Sequence, residues 1–497
     1  MDRAAVCLCL AADTLDADLR MAAGYRGTVD MLELRADHLR PEELARAAAF
    51  PGKVDCPVIL TIRRVCDGGS FGGEERERIA LLDRLVSAGF RFIDIEEDLE
   101  APGLDARIAS AGVRIIRSLH DHAGVPADLA ARLDRLARGP SEIPKAAVMP
   151  RSTADLARLL GIFAGAPRRD RILLGMGDFG LPTRVLATKL GSFLCYASPA
   201  GATVAPGQVD PETLHSLYGF GGIGPGTRVY GVVGNPVMHS RSPRIHNRGF
   251  RALGMDAVYL PFLVDDIDAF WDVADALDIR GLSVTVPHKQ GILAGIADRD
   301  PVVRATGACN TVVRDGAGAP WRGTNTDVAG FLAPLREVLG GELPRGLGAT
   351  VIGAGGAARA VVHGLVTHGA RVLILNRGSD RGRRLAADFS ARYEALDESG
   401  YAAARDHADL VVQTTSVGMT PDTGDPAPGL RFTGREVVYE LVYSPQVTPI
   451  LRRAIDAGCR VVGGIRMLHA QAMAQFRLFA GAEYPREAIA ALEREGD

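Results

Sequence analysis

A lysine and a histidine in the first half of the chain, Lys145 and His120, are the residues best placed to do chemistry. Lys145 lies in the apolar run PKAAVMP (residues 144–150), where a strand buried on both faces would enclose its amine. Burial disfavours an ammonium ion, so we expect a lowered pKa for Lys145 and a nucleophilic amine that can form an imine. His120 lies near the end of the run RIIRSLHD and is a candidate general base. Together the two residues predict carbonyl chemistry.

The elements that position them are eight apolar runs that alternate with amphipathic helical segments from residue 5 to about 205. The runs are AVCLCLAA, DMLELRAD, PVILTIRR, RFIDIEED, RIIRSLHD, PKAAVMP, RILLGMGD and GSFLCYAS. The helical segments include PEELARAAAF, EERERIALLDRLVSAG, PADLAARLDRLARG and STADLARLLGIFAG. Eight strand–helix units predict a closed (β/α)8 barrel, an α/β fold whose active site lies at the C-terminal ends of the strands.

Polar side chains fall at this predicted end of the barrel. They are Glu33, Arg35, Asp37, Arg63, Asp94, Glu96, His120 and Lys145, with Arg184 and Gln208 in the predicted loops after the seventh and eighth strands. Each alone has a structural explanation, because charges at the end of a barrel often pair with each other or with water. Their clustering on one face favours an active site.

The segments ELRAD, LHD, KAAVMP and APGQ, in this order, resemble the type I 3-dehydroquinate dehydratase family over roughly residues 1–215. The resemblance implies that Lys145 forms a Schiff base with the ketone of 3-dehydroquinate, with no metal. It also implies that His120 removes the adjacent C–H proton and later protonates the leaving hydroxide. By the same resemblance Arg184 binds the substrate carboxylate, and further substrate contacts come from Glu33, Arg35, Arg63 and Gln208.

This first half departs from the family pattern at two positions. Asp67 stands where the family usually places a glutamate that orients the histidine, and Val204 stands where a serine commonly precedes APGQ. Neither change alters the lysine and histidine on which the implied chemistry depends.

A glycine-rich segment, LYGFGGIGPGT, separates two patterns of different character. We expect a barrel over residues 1–216, a linker over 217–227, a substrate-binding domain over 228–330, a Rossmann domain over 331–464, and a C-terminal helix, 465–497, that returns to the substrate-binding domain. The strands expected in the substrate-binding domain are RVYGVVG, AVYLPFL, GLSVTVP and CNTVVRD.

The nucleotide site is predicted at GATVIGAGG, an apolar strand followed at once by a glycine turn and the helical segment AARAVVHGLVTHG. Such a turn lets backbone N–H groups and a helix N-terminus bind a pyrophosphate. The next strand, RVLILNR, ends in Asn376 and Arg377, where an NAD-specific fold usually offers an acidic residue. Arg377 therefore favours the 2′-phosphate of NADP, with Arg381 as a second candidate contact.

The segments GNPVMHSRSPRIHN, SVTVPHK, GACNTV, TNTD, GAGGAARA, NR, TTSVGM, ELVYSPQVTP and MLHAQ resemble shikimate dehydrogenase across residues 228–497. The resemblance implies that Lys289 and Asp327 form the acid–base pair for hydride transfer. The implied substrate contacts are Ser240, Ser242, Thr285, Asn310, Gln471 and Tyr443. The implied NADP contacts are Gly353, Ala354, Gly355, Gly356, Ala357, Asn376, Arg377, Arg381, Thr415, Met419 and Gly464.

The second half departs from its family at four positions, each with a different residue from the usual one: Ser283 for asparagine, Gly378 for threonine, Gln413 for asparagine and Glu440 for aspartate. Quinate-oxidising relatives tend to have glycine in place of the hydroxyls of Ser242 and Thr285. Both hydroxyls are kept here, which favours shikimate.

The two halves together predict a bifunctional shikimate-pathway enzyme, in the order found in the fused plant-type enzyme. It would dehydrate 3-dehydroquinate to 3-dehydroshikimate and reduce that product with NADPH to shikimate. One alternative is a dehydratase fused to a quinate dehydrogenase. The other is a regulator that binds pathway metabolites without turning them over, although such a sensor has no need of the four reactive residues Lys145, His120, Lys289 and Asp327.

Composition limits the partners and the cellular location. A length of 497 residues fits about three domains, and a net charge of −3 without runs of like charge gives no reason to expect a nucleic acid or membrane partner. No apolar stretch approaches the ~18 residues of a membrane span and no signal peptide is visible, so we expect a cytoplasmic protein. Its seven cysteines are expected to be buried free thiols, with Cys7 and Cys9 on one face of the first strand.

Overall fold

The computed structural model describes residues 3–136, 138–139, 142–165 and 171–495. The chain forms two compact units. One consists of Met1–Val229, Val237–His239 and Asp256–Ile279, and the other of Tyr230–Pro236, Ser240–Met255 and Arg280–Asp497.

The first unit contains an eight-stranded parallel sheet with the order β7-β6-β5-β4-β3-β2-β1-β8, which curves into a nearly closed barrel. The strands are β1 (Ala5–Leu10), β2 (Met31–Arg35), β3 (Val58–Thr61), β4 (Phe92–Glu96), β5 (Arg114–Asp121), β6 (Glu142–Val148), β7 (Ile172–Gly175) and β8 (Leu194–Ala197). The helices are α1 (Leu15–Gly24), α2 (Pro41–Leu44), α3 (Glu75–Leu85), α4 (Pro102–Ser110), α5 (Leu129–Leu136), α6 (Thr153–Gly165) and α7 (Gly177–Val185). The predicted barrel is confirmed.

Successive residues of each strand face the barrel interior and the outer helices in turn, so the apolar side chains form two layers, as a barrel of this kind requires. On β1, Cys7 and Cys9 belong to the cluster that fills the barrel interior. Leu8 and Leu10, which alternate with them, belong to the cluster packed between the strands and the outer helices. The polar residues at the C-terminal ends of the strands therefore lie next to a barrel interior that is filled with apolar side chains.

Four details of the first unit bear on the sequence-based expectation. The segment PEELARAAAF forms only the short α2 and a separate 3-10 turn, Ala47–Ala49, and the predicted helix PADLAARLDRLARG reaches Ala137, which lies outside the described residues. Arg184 lies in α7 and not in a loop, because a helix begins directly after β7. The glycine-rich segment is folded, with Phe220 fully buried and the Gly224 amide donating to Thr227 Oγ1 at 2.8 Å.

The next part of the chain has short strands and helices. These are β9 (Arg228–Gly234), α8 (Ser242–Ala252), β10 (Ala257–Leu263), α9 (Phe270–Ala276), β11 (Ile279–Val284), β12 (Asp298–Arg299), α10 (Pro301–Thr306), β13 (Thr311–Val313), β14 (Arg322–Thr324) and α11 (Asp327–Leu339). Within the first unit, β10 packs on α7 and α9 packs on α6. Thr153, at the start of α6, donates from its backbone N–H and its hydroxyl to Asp265 Oδ1, at 2.8 and 2.6 Å.

The second unit has two sheets. In the first, β9, β11, β13, β14 and β12 lie in that order. The other is a parallel sheet with the order β17-β16-β15-β18-β19-β20. Its elements are β15 (Gly348–Ile352), α12 (Gly356–Thr367), β16 (Arg371–Asn376), α13 (Ser379–Asp388), β17 (Arg392–Ala395), α14 (Glu398–Ala404), β18 (Leu410–Gln413), β19 (Val437–Glu440), α15 (Pro449–Asp456) and β20 (Arg460–Val462). This strand order is that of a Rossmann fold.

The chain ends in two helices, α16 (Gly464–Ala480) and α17 (Arg486–Glu495). Both pack on α8, and α16 also packs along α11. None of the helices in the described ranges is long and apolar enough to cross a membrane.

Candidate active sites

The barrel places Lys145 and His120 on the same side of adjacent strands. In the register of β5 and β6, Lys145 lies opposite Ser118, and His120 lies opposite Ala147, two residues further along each strand. Side chains two residues apart on a strand share a face, so the amine and the imidazole project into the same space. Both line one pocket at the C-terminal end of the barrel.

The amine of Lys145 has two close neighbours. Its Nζ donates to Asp94 Oδ2 at 2.8 Å and lies 4.4 Å from the centre of the Tyr196 ring. Only 4% of Lys145 is exposed. The amine is therefore enclosed as the sequence suggests, but it is not an isolated buried charge, because a carboxylate faces it.

Asp94 belongs to a buried network of charges. Arg63 binds Asp94 at 2.9 Å and Glu96 at 3.0 Å, and the hydroxyl of Ser118 donates to Asp94 at 2.6 Å. Arg78 on α3 binds the other oxygen of Glu96. Burial would raise the pKa of Asp94, but the charges of Arg63 and Lys145 outweigh it and hold that pKa well below its usual range. Asp94 is therefore a carboxylate at neutral pH.

His120 has the properties of a base. Burial, followed by the positive charges of Arg63 and Lys145, lowers the pKa of His120 well below its usual value, against the opposing effect of Asp94. The imidazole is therefore neutral at pH 7. Among the described residues, no group accepts from or donates to its Nδ1.

Arg184 is a buried cation for which the described residues provide no carboxylate partner. Only 2% of it is exposed, and its Nη2 donates to the carbonyl of Pro206 at 3.2 Å. Within the described ranges its Nε and Nη1 have no hydrogen-bond partner. Because a buried guanidinium without an anion is unfavourable, this side chain is suited to receive a carboxylate from a ligand.

The other predicted substrate contacts of the barrel also line this pocket: Glu33, Arg35, Arg63 and Gln208. Arg35 is bidentate on Asp37, at 3.0 and 2.8 Å. Glu33 is almost fully buried and accepts from Thr61 at 2.7 Å. The structure therefore brings together all seven site residues predicted in the first half.

The two departures from the family pattern have clear structural consequences. Asp67 accepts from Arg64 Nε at 2.6 Å, and in the described part of the chain no hydrogen bond joins it to His120. Val204 lines the pocket with an apolar surface where a hydroxyl would otherwise stand.

In the second unit, Lys289 and Asp327 form the predicted pair. Lys289 Nζ lies 2.5 Å from Asp327 Oδ2, and the side chains are 14% and 6% exposed. Asp327 is the first residue of α11, where the helix dipole favours a carboxylate. Asn310 fixes its orientation, since Asn310 Nδ2 donates to Asp327 Oδ1 at 2.8 Å.

Apart from Asp327, the groups that hydrogen-bond to the side chain of Asn310 are uncharged. Its Oδ1 accepts from the backbone of Thr326 at 2.8 Å and from the hydroxyl of Thr311 at 2.8 Å. Gln475 on α16 donates to Thr311 Oγ1 at 2.9 Å and accepts from Ser283 Oγ at 2.7 Å. Ser283, one of the departures from the family pattern, is therefore part of a buried network of amides and hydroxyls.

The remaining predicted substrate contacts are in the same unit. Ser240 Oγ accepts from the backbone of Ser242 at 3.2 Å, Thr285 follows β11, Tyr443 approaches Arg241, and Gln471 packs on Gly330 of α11. Within the described ranges, no hydrogen bond connects these side chains to the Lys289–Asp327 pair.

The glycine turn after β15 is suited to a dinucleotide. Gly353 has φ +112°, and a Cβ there would lie 2.6 Å from Thr414 Oγ1. A Cβ at Gly355 would meet nothing within 4 Å, so its backbone is open. α12 begins at Gly356 and includes Ala357. The first N–H groups of this helix have no partner within it and face the turn that contains Ala354. This turn fits a pyrophosphate.

The two candidate 2′-phosphate contacts, Arg377 and Arg381, are exposed after β16 and on α13, and Asn376 ends β16. The loop after β18 is held by Gln413, whose amide donates to the carbonyls of Thr415 and Val417 at 3.0 and 2.9 Å.

The other predicted cofactor contacts lie in loops and at a helix start. Met419 is in the loop after β18, and Gly464 begins α16, where a Cβ would lie 2.4 Å from the carbonyl oxygen of Leu441. Glu440 ends β19, and burial raises its pKa to about 7.

Sequence reasoning placed Asp94 at the active end of the barrel but did not pair it with Lys145, and it missed Tyr196 and Gln475. A signal for Asp94 was present, because the strand FIDIE alternates acids with isoleucines and so points its acids into the barrel. Tyr196 and Gln475 carry no such signal, since their contacts are on distant strands and helices.

A parallel barrel with an enclosed lysine beside a neutral histidine is followed by a unit that contains a lysine–aspartate pair and a Rossmann fold, and comparison with known proteins identifies a lyase joined to an oxidoreductase. The type I 3-dehydroquinase family matches residues 6–225, the shikimate dehydrogenase substrate binding domain matches residues 232–312, and the shikimate/quinate 5-dehydrogenase family matches residues 344–420. The chain belongs to the bifunctional 3-dehydroquinate dehydratase/shikimate dehydrogenase family of the shikimate pathway.

Individual relatives cover either the whole chain or its second half. The chloroplastic bifunctional 3-dehydroquinate dehydratase/shikimate dehydrogenase of Arabidopsis thaliana is 31% identical over 97% of this chain and 83% of its own length. The NADP(+) shikimate dehydrogenase of Salinibacter ruber is 40% identical over 53% of this chain and 95% of its own length. A solved shikimate 5-dehydrogenase from Thermus thermophilus, in complex with NADP(H) and shikimate, is 32% identical, covers 54% of this chain and 100% of that chain, and has a TM-score of 0.48.

Proposed function

We propose that the barrel dehydrates 3-dehydroquinate through an imine on Lys145. The amine attacks the substrate ketone and water leaves, which gives an imine that stabilises negative charge on the neighbouring carbon. His120 takes the proton from that carbon, and the same proton leaves with the hydroxyl as water. Hydrolysis of the imine then releases 3-dehydroshikimate and restores Lys145. The observation that carries this proposal is the placement of Lys145 and His120 on one face of adjacent strands, in one pocket.

Substrate orientation follows from the charges that the pocket leaves uncompensated. Arg184, which has no carboxylate partner within the described ranges, would bind the substrate carboxylate. Glu33, Arg35, Arg63 and Gln208 would hold the hydroxyls and the remainder of the carboxylate. Asp94 would keep Lys145 in position through its 2.8 Å hydrogen bond.

We propose that the second unit reduces 3-dehydroshikimate to shikimate with NADPH. When bound, NADPH would supply a hydride for the ketone, and the substrate oxygen would need a proton from the protein. Lys289 would hold and deliver that proton, and Asp327 orients the ammonium. The substrate would be held by Ser240, Ser242, Thr285, Asn310, Gln471 and Tyr443. The glycine turn at residues 353–357 would hold the pyrophosphate, and Asn376, Arg377, Arg381, Thr415, Met419 and Gly464 would hold the rest of the cofactor.

A coupled assay tests both halves. Purified protein receives 3-dehydroquinate and NADPH, and the absorbance of the conjugated enone is followed together with that of NADPH. We expect NADPH consumption with shikimate as the product. Enone accumulation without NADPH loss would leave the dehydratase proposal standing and contradict the reductase proposal, and parallel reactions with NADH and with quinate plus NADP would then identify the true cofactor and substrate.

A further inference from the structure

Cys9 occupies an inward-facing position of β1, beneath the substrate pocket of the barrel. It is 1% exposed and lies directly opposite Glu33 in the register of β1 and β2. Neighbouring inward positions of the barrel are mostly apolar, and they include Cys7 on the same face of the same strand.

The thiol of Cys9 contacts two of the side chains that we propose as substrate contacts. Its Sγ donates to Glu33 Oε2 at 3.0 Å and accepts from Gln208 Nε2 at 3.3 Å. The other oxygen of Glu33 accepts from Thr61 Oγ1 at 2.7 Å. The carboxylate of Glu33 is therefore fixed from both flanking strands, with Cys9 on one side and Thr61 on the other.

The thiol keeps its proton. Burial, followed by the charge of Glu33 and the hydrogen bond to it, raises the pKa of Cys9 well above its usual value. The S–H group is therefore available as a donor at every pH at which the barrel would work, and a lone pair of the sulfur remains for the amide of Gln208.

We propose that Cys9 is a positioning residue for substrate binding in the barrel. Its thiol joins Glu33 on β2 to Gln208 in the loop after β8 and so sets the spacing of two groups that meet the substrate. The inference rests on the proposed roles of Glu33 and Gln208. Cys7 provides the contrast, since it is fully buried and, in the described part of the chain, forms no hydrogen bond to either side chain.

The test compares Cys9→Ala, Cys9→Ser and Cys7→Ala in the full chain. In Cys9→Ala we expect the KM for 3-dehydroquinate to rise roughly threefold to tenfold, because two modest hydrogen bonds are lost, with kcat within about twofold of the parent protein. In Cys9→Ser the hydroxyl keeps a donor and an acceptor, so KM should return to within about twofold. Cys7→Ala should leave KM unchanged, and the circular dichroism and urea unfolding curve of each preparation report whether the barrel is folded.

The outcomes separate the inference from the proposal beneath it. Equal effects of Cys7→Ala and Cys9→Ala would mean that the thiol only fills the core, and this would overturn the inference. An unchanged KM in Cys9→Ala, together with a raised KM in Glu33→Gln or Gln208→Ala, would also overturn the inference. An unchanged KM in both Glu33→Gln and Gln208→Ala would overturn the roles of those side chains, and the inference with them. If Cys9→Ala does not yield folded protein, Cys9→Val fills the site without a thiol and gives the same comparison.

Discussion

The two sites use the same pair of groups, a lysine side chain and an aspartate, in different settings. In the barrel, Lys145 and Asp94 lie inside a buried set of full charges that includes Arg63, Glu96 and Arg78. In the second unit, Asp327 is held by neutral amides and hydroxyls, and the side chain of Lys289 is 14% exposed. A lysine–aspartate pair alone therefore does not determine the reaction, and the residues around it differ between the two sites.

The difference follows from what each amine is proposed to do. Lys145 is proposed to form a covalent bond with a substrate, so its surroundings must hold the amine in one position, and the buried counter-charges of the barrel do this. Lys289 is proposed only to pass a proton, which requires access to the substrate and a nearby carboxylate. A neutral network is sufficient to hold that carboxylate in place.

The largest expected effect separates the two activities. Lys145→Ala should lower dehydratase activity at least about a thousandfold, because the nucleophile is lost, and leave shikimate dehydrogenase activity within about twofold. Lys289→Ala should do the reverse, with a loss of roughly a hundredfold to ten-thousandfold in the reductase alone. Both rates are measured on the same preparations. Loss of both activities in either variant would contradict the separation of the two sites.

The second prediction tests the charged support of the barrel. Arg78→Met removes a fully buried partner of Glu96 and should lower the free energy of unfolding in urea by about 3 kcal/mol, as expected for breaking a buried ion pair. Arg76→Met is the control on the same helix, because the side chain of Arg76 is 80% exposed and, among the described residues, pairs with Glu74 alone. It should cause no measurable change. Similar values for the two variants would show that the buried charges do not stabilise the barrel.

The third prediction concerns Glu440, a buried acid at the end of β19. Burial raises its pKa from 4.5 to about 7, so between these pH values the folded state holds a proton that the unfolded state has lost. The free energy of unfolding should therefore fall by about 3 kcal/mol as pH rises from 4.5 to above 7. Glu440→Gln should remove this fall while its amide keeps bonds to Val442 and Thr448.

Glu436, which precedes β19, is the matched control. Burial raises the pKa of Glu436, but hydrogen bonds from its own backbone and from Thr433 lower it by more. The net pKa of Glu436 is therefore below its usual value. Glu436→Gln should therefore change the pH dependence in the opposite direction to Glu440→Gln. The measurement is urea unfolding at a series of pH values, and parallel curves for the parent protein and Glu440→Gln would contradict the account.

The smallest expected effect comes from the replacement of an exposed arginine. Arg377 is exposed and is proposed to contact a phosphate of the cofactor, so Arg377→Ala should leave stability unchanged and raise the KM for NADPH about tenfold. The KM for NADH should not change, and Arg381→Ala should show a weaker version of the same effect. Equal loss of affinity for both cofactors would place Arg377 away from the 2′-phosphate.

Much of this organisation could be predicted from the sequence because it is local. The eight strands, the glycine turn after β15, the position of Lys145 within β6 and that of His120 near the end of β5 each follow from a short pattern. The contacts that distinguish the two sites are not local. Asp94 reaches Lys145 across 51 residues, and Gln475 reaches Ser283 across 192, so neither pairing has a spacing that a sequence pattern can predict.

The same limit explains the errors of detail. Arg184 was expected in a loop, but the glycine at position 177 turns the chain directly into α7. The glycine-rich segment predicted as a linker contains the buried side chain of Phe220, a contact that its glycines do not reveal.

The most direct test of the central claim is reduction of the enzyme with borohydride in the presence of 3-dehydroquinate, followed by mass spectrometry of its peptides. Borohydride converts an imine to a stable secondary amine, so the account predicts an adduct on the peptide that contains Lys145, none in Lys145→Ala, and unimpaired shikimate oxidation by the modified protein. An adduct on another lysine, or full dehydratase activity after treatment with no adduct at all, would contradict it.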